Sequence, residues 1–87
     1  MFTQEVTVTN EVGLHAKPAT YFIQKANEFQ SGIWVEKDER RVNAKSLLGV
    51  LSLGIVQGTA ITLIADGSDE EAAVKALTEL VDSGLEK

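Results

Sequence analysis

Cysteine is absent from this chain, which excludes disulfide scaffolds, thiolate zinc sites and thiol nucleophiles together. Histidine occurs once, at position 15, too few for the three or four ligands of a zinc ion, and no Ser, His and Asp constellation is discernible. Neither a metal site nor a cofactor is expected. Basic side chains are scarce, 8 against 13 acidic ones, for a net charge of −5 with the histidine neutral. That balance, without a basic aromatic stripe, argues against direct nucleic-acid binding, which depends on neutralising phosphates with Lys and Arg. No apolar run approaches the ~20 residues needed to span a bilayer. Met1 to Glu5 lacks the basic and apolar regions of a signal peptide, so a cytoplasmic location without membrane insertion is expected. Proline occurs once, and the seven glycines punctuate elements instead of forming a tract, so residues 1–87 read as a single domain.

What remains is strongly patterned. Phe2, Val6 and Val8 alternate with Thr3, Glu5, Thr7 and Thr9, the period of a half-buried strand, with Gln4 out of pattern. After a loop at Asn10 to Gly13, Ala19, Phe22, Ile23 and Ala26 form one apolar stripe of a helix beginning near Ala16, with Pro18 in its first turn, and Ser31-Gly32 ends that helix. Ile33 to Glu36 and Arg41 to Asn43 read as a hairpin around Lys37 to Arg40, although Asp38-Glu39 is not the Asp-Gly that a type I′ turn prefers. Ser46 to Leu53 is a short leucine-rich helix stopped at Gly54, and Ala60 to Ala65 is a strand with Ile61, Leu63 and Ala65 on one face. Ser68 and Glu71 have capping-box spacing, and Ala73, Leu77, Leu80 and Val81 then carry a helix to Gly84. The order β-α-β-β-α-β-α predicts an α+β, open-faced two-layer β-sandwich: four antiparallel strands covered by three helices on one face.

His15 is the residue whose side chain titrates near neutral pH. Its plain role is a loop or helix-cap imidazole, but a helix N-terminus presents unpaired amides and partial positive charge, which favour a bound anion and a neutral, nucleophilic imidazole. A phosphoryl group on the ring would meet the amides of Ala16 and Lys17, with a cation from Lys17, whereas Pro18 has no N–H to offer. Ser46 reads first as a helix N-cap, a place that also suits a phosphate. Leu47, Leu48 and Leu51 exceed what one inward stripe needs, because Val50 and Leu53 fill it, so they form a candidate partner surface. Asp38-Glu39 and Asp69-Glu70-Glu71 read as a turn and a helix first turn, without chemistry.

At Gly13-Leu14-His15-Ala16-Lys17-Pro18-Ala19, and again from Val42 to Gly54, the chain resembles the HPr family, the histidine-containing phosphocarriers of the bacterial sugar phosphotransferase system. The resemblance spans the whole length and implies a carrier that does not turn over substrate as an enzyme does. It implies that His15 accepts a phosphoryl group at Nδ1 from phosphorylated enzyme I and passes it to the enzyme II A domains of sugar permeases. It also implies phosphorylation of Ser46 by an HPr kinase/phosphorylase, a corepressor role with the catabolite control protein, and docking through Leu47, Leu48 and Leu51. A monomer is the natural form of such a shuttle. Two positions depart from the family: Lys17 stands where its motif has arginine, and Glu39 in a turn that often carries glycine. Lysine keeps the charge at position 17 but loses the planar fork that grips phosphate.

Overall fold

A computed structural model describes residues 1–11, 13–14 and 16–85. The elements run β1 (Phe2–Thr7), α1 (Ala16–Ala26), β2 (Gly32–Lys37), β3 (Arg40–Asn43), α2 (Leu47–Ser52), β4 (Ala60–Asp66) and α3 (Glu70–Asp82), the predicted order. The sheet order is β1-β4-β2-β3, every neighbouring pair antiparallel. Alternation turns Val6, Ile33, Val35, Ile61, Leu63 and Ala65 to one face, where they meet Ala19, Phe22 and Ala26 of α1, Val50 of α2 and Ala73, Val74, Leu77 and Val81 of α3. All three helices therefore cover one side of the sheet. Burying Phe22 alone contributes roughly 1.5–3 kcal/mol. On the opposite face Ile64 is also buried, lying in register between Thr3 and Trp34. The ring of Trp34 lies so close to Gly32 that a Cβ there would stand 2.7 Å from it. No helix among the described residues is long and apolar enough to cross a membrane.

Three local expectations shift. Helix α1 ends at Ala26, and residues 27–31 form the turn into β2. The N-cap of α3 is Asp69 instead of Ser68, and its side chain makes no cap bond. The Asp69 carboxylate is drawn instead to the α1–β2 turn, accepting from the amides of Gln30 and Ser31, both at 2.9 Å, and from the Ser31 hydroxyl. Glu70 closes the turn before the helix, its Oε1 accepting from the Gly67 amide at 3.1 Å while Oε2 lies 3.1 Å from the amino group of Met1. Thus Asp69 is a tie between two loops, a role beyond the helix-dipole one its sequence position suggests.

These bonds have a pH signature. The Ser31 hydroxyl, followed by the Gln30 amide, holds the Asp69 carboxyl below its ordinary value of 3.8. The Gly67 amide, followed by the terminal ammonium, does the same to Glu70 from 4.5. A carboxylate whose folded pKa is depressed contributes stability above its unfolded pKa, and loses it as pH falls through the folded one. Stability is therefore expected to fall below about pH 4, and Asp69→Asn to flatten that acid limb. Urea midpoints measured between about pH 5 and pH 2.5 check this; an unchanged limb in the variant would refute the assignment.

At the hairpin tip Asp38 and Glu39 have φ of 50° and 69°, the doubly left-handed backbone of a type I′ turn. Aspartate tolerates this region better than glutamate does. Glu39→Gly is accordingly expected to stabilise the chain by about 1 kcal/mol. Tm should rise by roughly 4–8 °C, read by thermal denaturation.

Candidate functional site

Helices α1 and α2 pack against each other, and each is preceded by a segment that carries a candidate residue, the loop before α1 and the turn before α2. Gly13 and Leu14 are pinned to the α2–β4 connection. Leu14 is buried and its amide donates to Ile55 O at 3.0 Å. Gly13 has φ of 62°, and a Cβ on it would stand 2.2 Å from Ile55 O and 2.7 Å from Val56 Cα, so no side chain fits. Asn10 closes the loop, its Nδ2 donating to Gly13 O at 2.8 Å. The same strap continues through the Val8 amide to Thr59 O at 2.9 Å and the Gln57 side chain to Thr9 O at 3.0 Å.

His15 lies outside the described residues. Its chain neighbours are Leu14, held as above, and Ala16, the first residue of α1. The opening amides of α1, those of Ala16 and Lys17 among them, have no carbonyl partner within the helix, and its first turn carries no acidic side chain. Lys17 is exposed and pairs with no carboxylate of the described residues. An anion at this end would meet amides, a partial positive charge and a lysine. Among the described residues no three His, Cys, Asp or Glu side chains cluster as a metal site.

Ser46 is the N-cap of α2, as expected, with extended backbone and its Oγ accepting from the Gly49 amide at 3.2 Å. Asn43 prepares this turn: its Oδ1 accepts from the Lys45 amide at 2.8 Å, and its carbonyl from the Ser46 amide at 3.1 Å. Lys45 directs its ammonium to Phe29 O at 2.7 Å. Val50 and Leu53 fill the inward side of α2 while Leu47 is 43% and Leu48 80% exposed. Leu51 divides from these two, being partly buried against the core. Sequence reasoning missed Val56, 53% exposed and beside Gly13. The available signal was the adjacent pair Ile55-Val56 in a connection: with Ile55 buried, its neighbour turns out.

Residues 2–83 match the family model described as the PTS HPr component phosphorylation site. The chain is 47% identical over 81 residues to the HPr-like protein Crh of Bacillus subtilis, covering 93% of this chain and 95% of that one. To the phosphocarrier protein HPr of Neisseria meningitidis it is 43% identical over 81 residues, 93% and 91% of the two chains. The crystal structure of HPr from Thermoanaerobacter tengcongensis superposes with a TM-score of 0.96 at 49% identity, covering 100% of this chain and 99% of that one. Crh of Bacillus subtilis, solved as a dimer with a swapped domain, gives 0.78 at 44% identity and full coverage of both. Dimers among the solved relatives leave the expectation of a monomer without support.

Proposed function

The chain belongs to the HPr family of phosphocarriers, and on that premise we propose that His15 accepts a phosphoryl group from phosphorylated enzyme I and donates it to sugar-specific enzyme II A domains in the cytoplasm. The neutral imidazole attacks through Nδ1; the bond from phosphorus to the donor breaks as the bond to Nδ1 forms, and the ring keeps its proton on Nε2. One observation carries this reading. The position between buried, hydrogen-bonded Leu14 and the N-terminus of α1 belongs to the family's histidine motif, and the free amides of Ala16 and Lys17 suit a phosphoryl dianion. Ser46 is the regulatory site, modified by an HPr kinase/phosphorylase, and Leu47, Leu48 and Leu51 dock partners. Exposure favours Leu47 and Leu48 as direct contacts, with Leu51 beneath them.

The test is intact mass after incubation with enzyme I, phosphoenolpyruvate and magnesium, with His15→Ala alongside and a brief acid treatment. One acid-labile phosphoryl group, absent from His15→Ala, is the expected result. No transfer, with ATP-dependent and acid-stable modification by HPr kinase that vanishes in Ser46→Ala, would favour a second reading. In it the chain is a regulatory module acting as corepressor through phospho-Ser46. The similarity to Crh, the catabolite repression HPr of Bacillus subtilis, supports that alternative; retention of His15 speaks against it.

Lysine at position 17 has a measurable consequence. Lys17→Arg restores a two-pronged phosphate contact, so phosphoryl transfer through His15 is expected to accelerate several-fold, on the order of 1 kcal/mol. Rapid-quench kinetics on the two proteins compare the rates, and equal values would show that only the charge matters.

A further inference from the structure

Helix α2 carries the exposed Leu47 and Leu48, yet its six residues are too few to hold a helix unaided, and only Val50 among them is fully buried. Its N-terminal end is fastened by Ser46. Its other end is fastened by cations from outside the helix. Lys37 Nζ donates to Leu53 O at 3.0 Å, with Gly54 O 3.5 Å away. Arg40 Nη1 donates to Ser52 O at 3.0 Å, and its Nη2 to Ser52 Oγ at 3.3 Å. Cations and donors are favourable at a helix C-terminus, where the last carbonyls lack partners.

The hairpin explains why these two side chains arrive together. Lys37 and Arg40 are paired in register, two positions beyond the pair Val35 and Val42, so they share the helix-covered face of the sheet. The turn of Asp38 and Glu39 joins them directly. On the opposite face Glu36 pairs with Arg41 at 3.1 Å, and neither Asp38 nor Glu39 forms an ion pair among the described residues. No described carboxylate competes for the clamp.

We propose that Lys37 and Arg40 are positioning residues: a cationic clamp from the β2–β3 hairpin that orients α2, and so presents Leu47 and Leu48 to the phosphoryl donor. This rests on the reading of α2 as a docking surface. The clamp acts on association, whereas bond making takes place at His15, so its loss should fall on KM.

The experiment compares wild type, Lys37→Met with Arg40→Met, the exchanged pair Lys37→Arg with Arg40→Lys, and Leu48→Ala, in steady-state phosphorylation by enzyme I and phosphoenolpyruvate. Thermal melting confirms that each variant folds. The methionine pair is expected to raise KM for the carrier about tenfold with kcat held within about twofold. The difference should persist at about 0.5 M salt, where exposed charges are screened. The exchanged pair should recover wild-type KM, since both retain donors. A KM unmoved by the methionine pair but raised by Leu48→Ala would overturn the clamp and leave the docking surface standing. A KM unmoved in both would remove the docking surface and the clamp with it. A KM difference abolished by salt would mean that the cations touch the partner themselves, and a fall in kcat alone would mean an effect on chemistry; either overturns the proposal. If the methionine pair fails to melt cooperatively, the exchanged pair and the single variants Lys37→Met and Arg40→Met decide it by the same KM criterion.

Discussion

Gly13→Ala is expected to cost about 3 kcal/mol, from ~1–2 for left-handed backbone in a residue with a side chain and ~1–3 for a buried backbone hydrogen bond left unmade. In a chain of this size that lowers Tm by on the order of 15 °C. Gly54 supplies the control, having nearly the same φ, 61°, but nothing within 4 Å of the point where an alanine methyl would stand. Gly54→Ala should therefore lose only the backbone part, about 1 kcal/mol. The difference between the variants isolates the 2.2 Å collision with Ile55 O, which forces the loop off the strap that Leu14 makes with the same carbonyl. Because that loop leads into His15, Gly13→Ala should also slow phosphorylation at a temperature where it remains folded. Equal melting temperatures for the two variants would show that the loop yields without resistance.

Ser46→Asp is expected to cut transfer from enzyme I about tenfold at low ionic strength, equivalent to about 1.4 kcal/mol of like-charge repulsion against the acidic docking surface expected of enzyme I. The fold itself should be spared. Aspartate is as good an N-cap as serine, so the bond that Ser46 Oγ accepts from Gly49 has a replacement. Lys45, the adjacent cation, is already engaged with Phe29 O and is not free to neutralise the new charge without breaking that bond. Salt should restore much of the loss, since exposed charges are screened over a Debye length of about 10 Å at 0.1 M. Kinetics at two ionic strengths, with Tm measured on the same samples, separate charge from folding. Unchanged transfer at low salt would remove the electrostatic account of regulation at this serine.

The candidate site is unevenly legible in the sequence. The histidine motif, the Ser46 cap and the surplus leucines all lie within a few residues of the elements they act on, where spacing speaks directly. Leu51 groups with Leu47 and Leu48 by spacing, because a six-residue helix gives too little length for its inward stripe to be drawn sharply. Its packing against the core assigns it differently. Val56 escapes notice because a lone apolar residue in a connection has no period to betray which way it faces.

Element order, strand alternation and the one-sided helices follow from local pattern, because a period of two or of 3.6 residues is a property of neighbouring side chains alone. The strand order is not written in that pattern: β4 enters between β1 and β2 through contacts between distant segments. The same is true of Asp69, which abandons its helix cap for donors 38 and 39 residues away. It is true of Gly13, whose lack of a side chain is demanded by a carbonyl at position 55. It is true of Lys37 and Arg40, whose partners at the C-terminal end of α2 and just beyond it lie 12 to 17 residues along the chain. Such contacts form because buried or helix-terminal polar groups must find partners wherever packing brings them, and no short-range spacing encodes where that is.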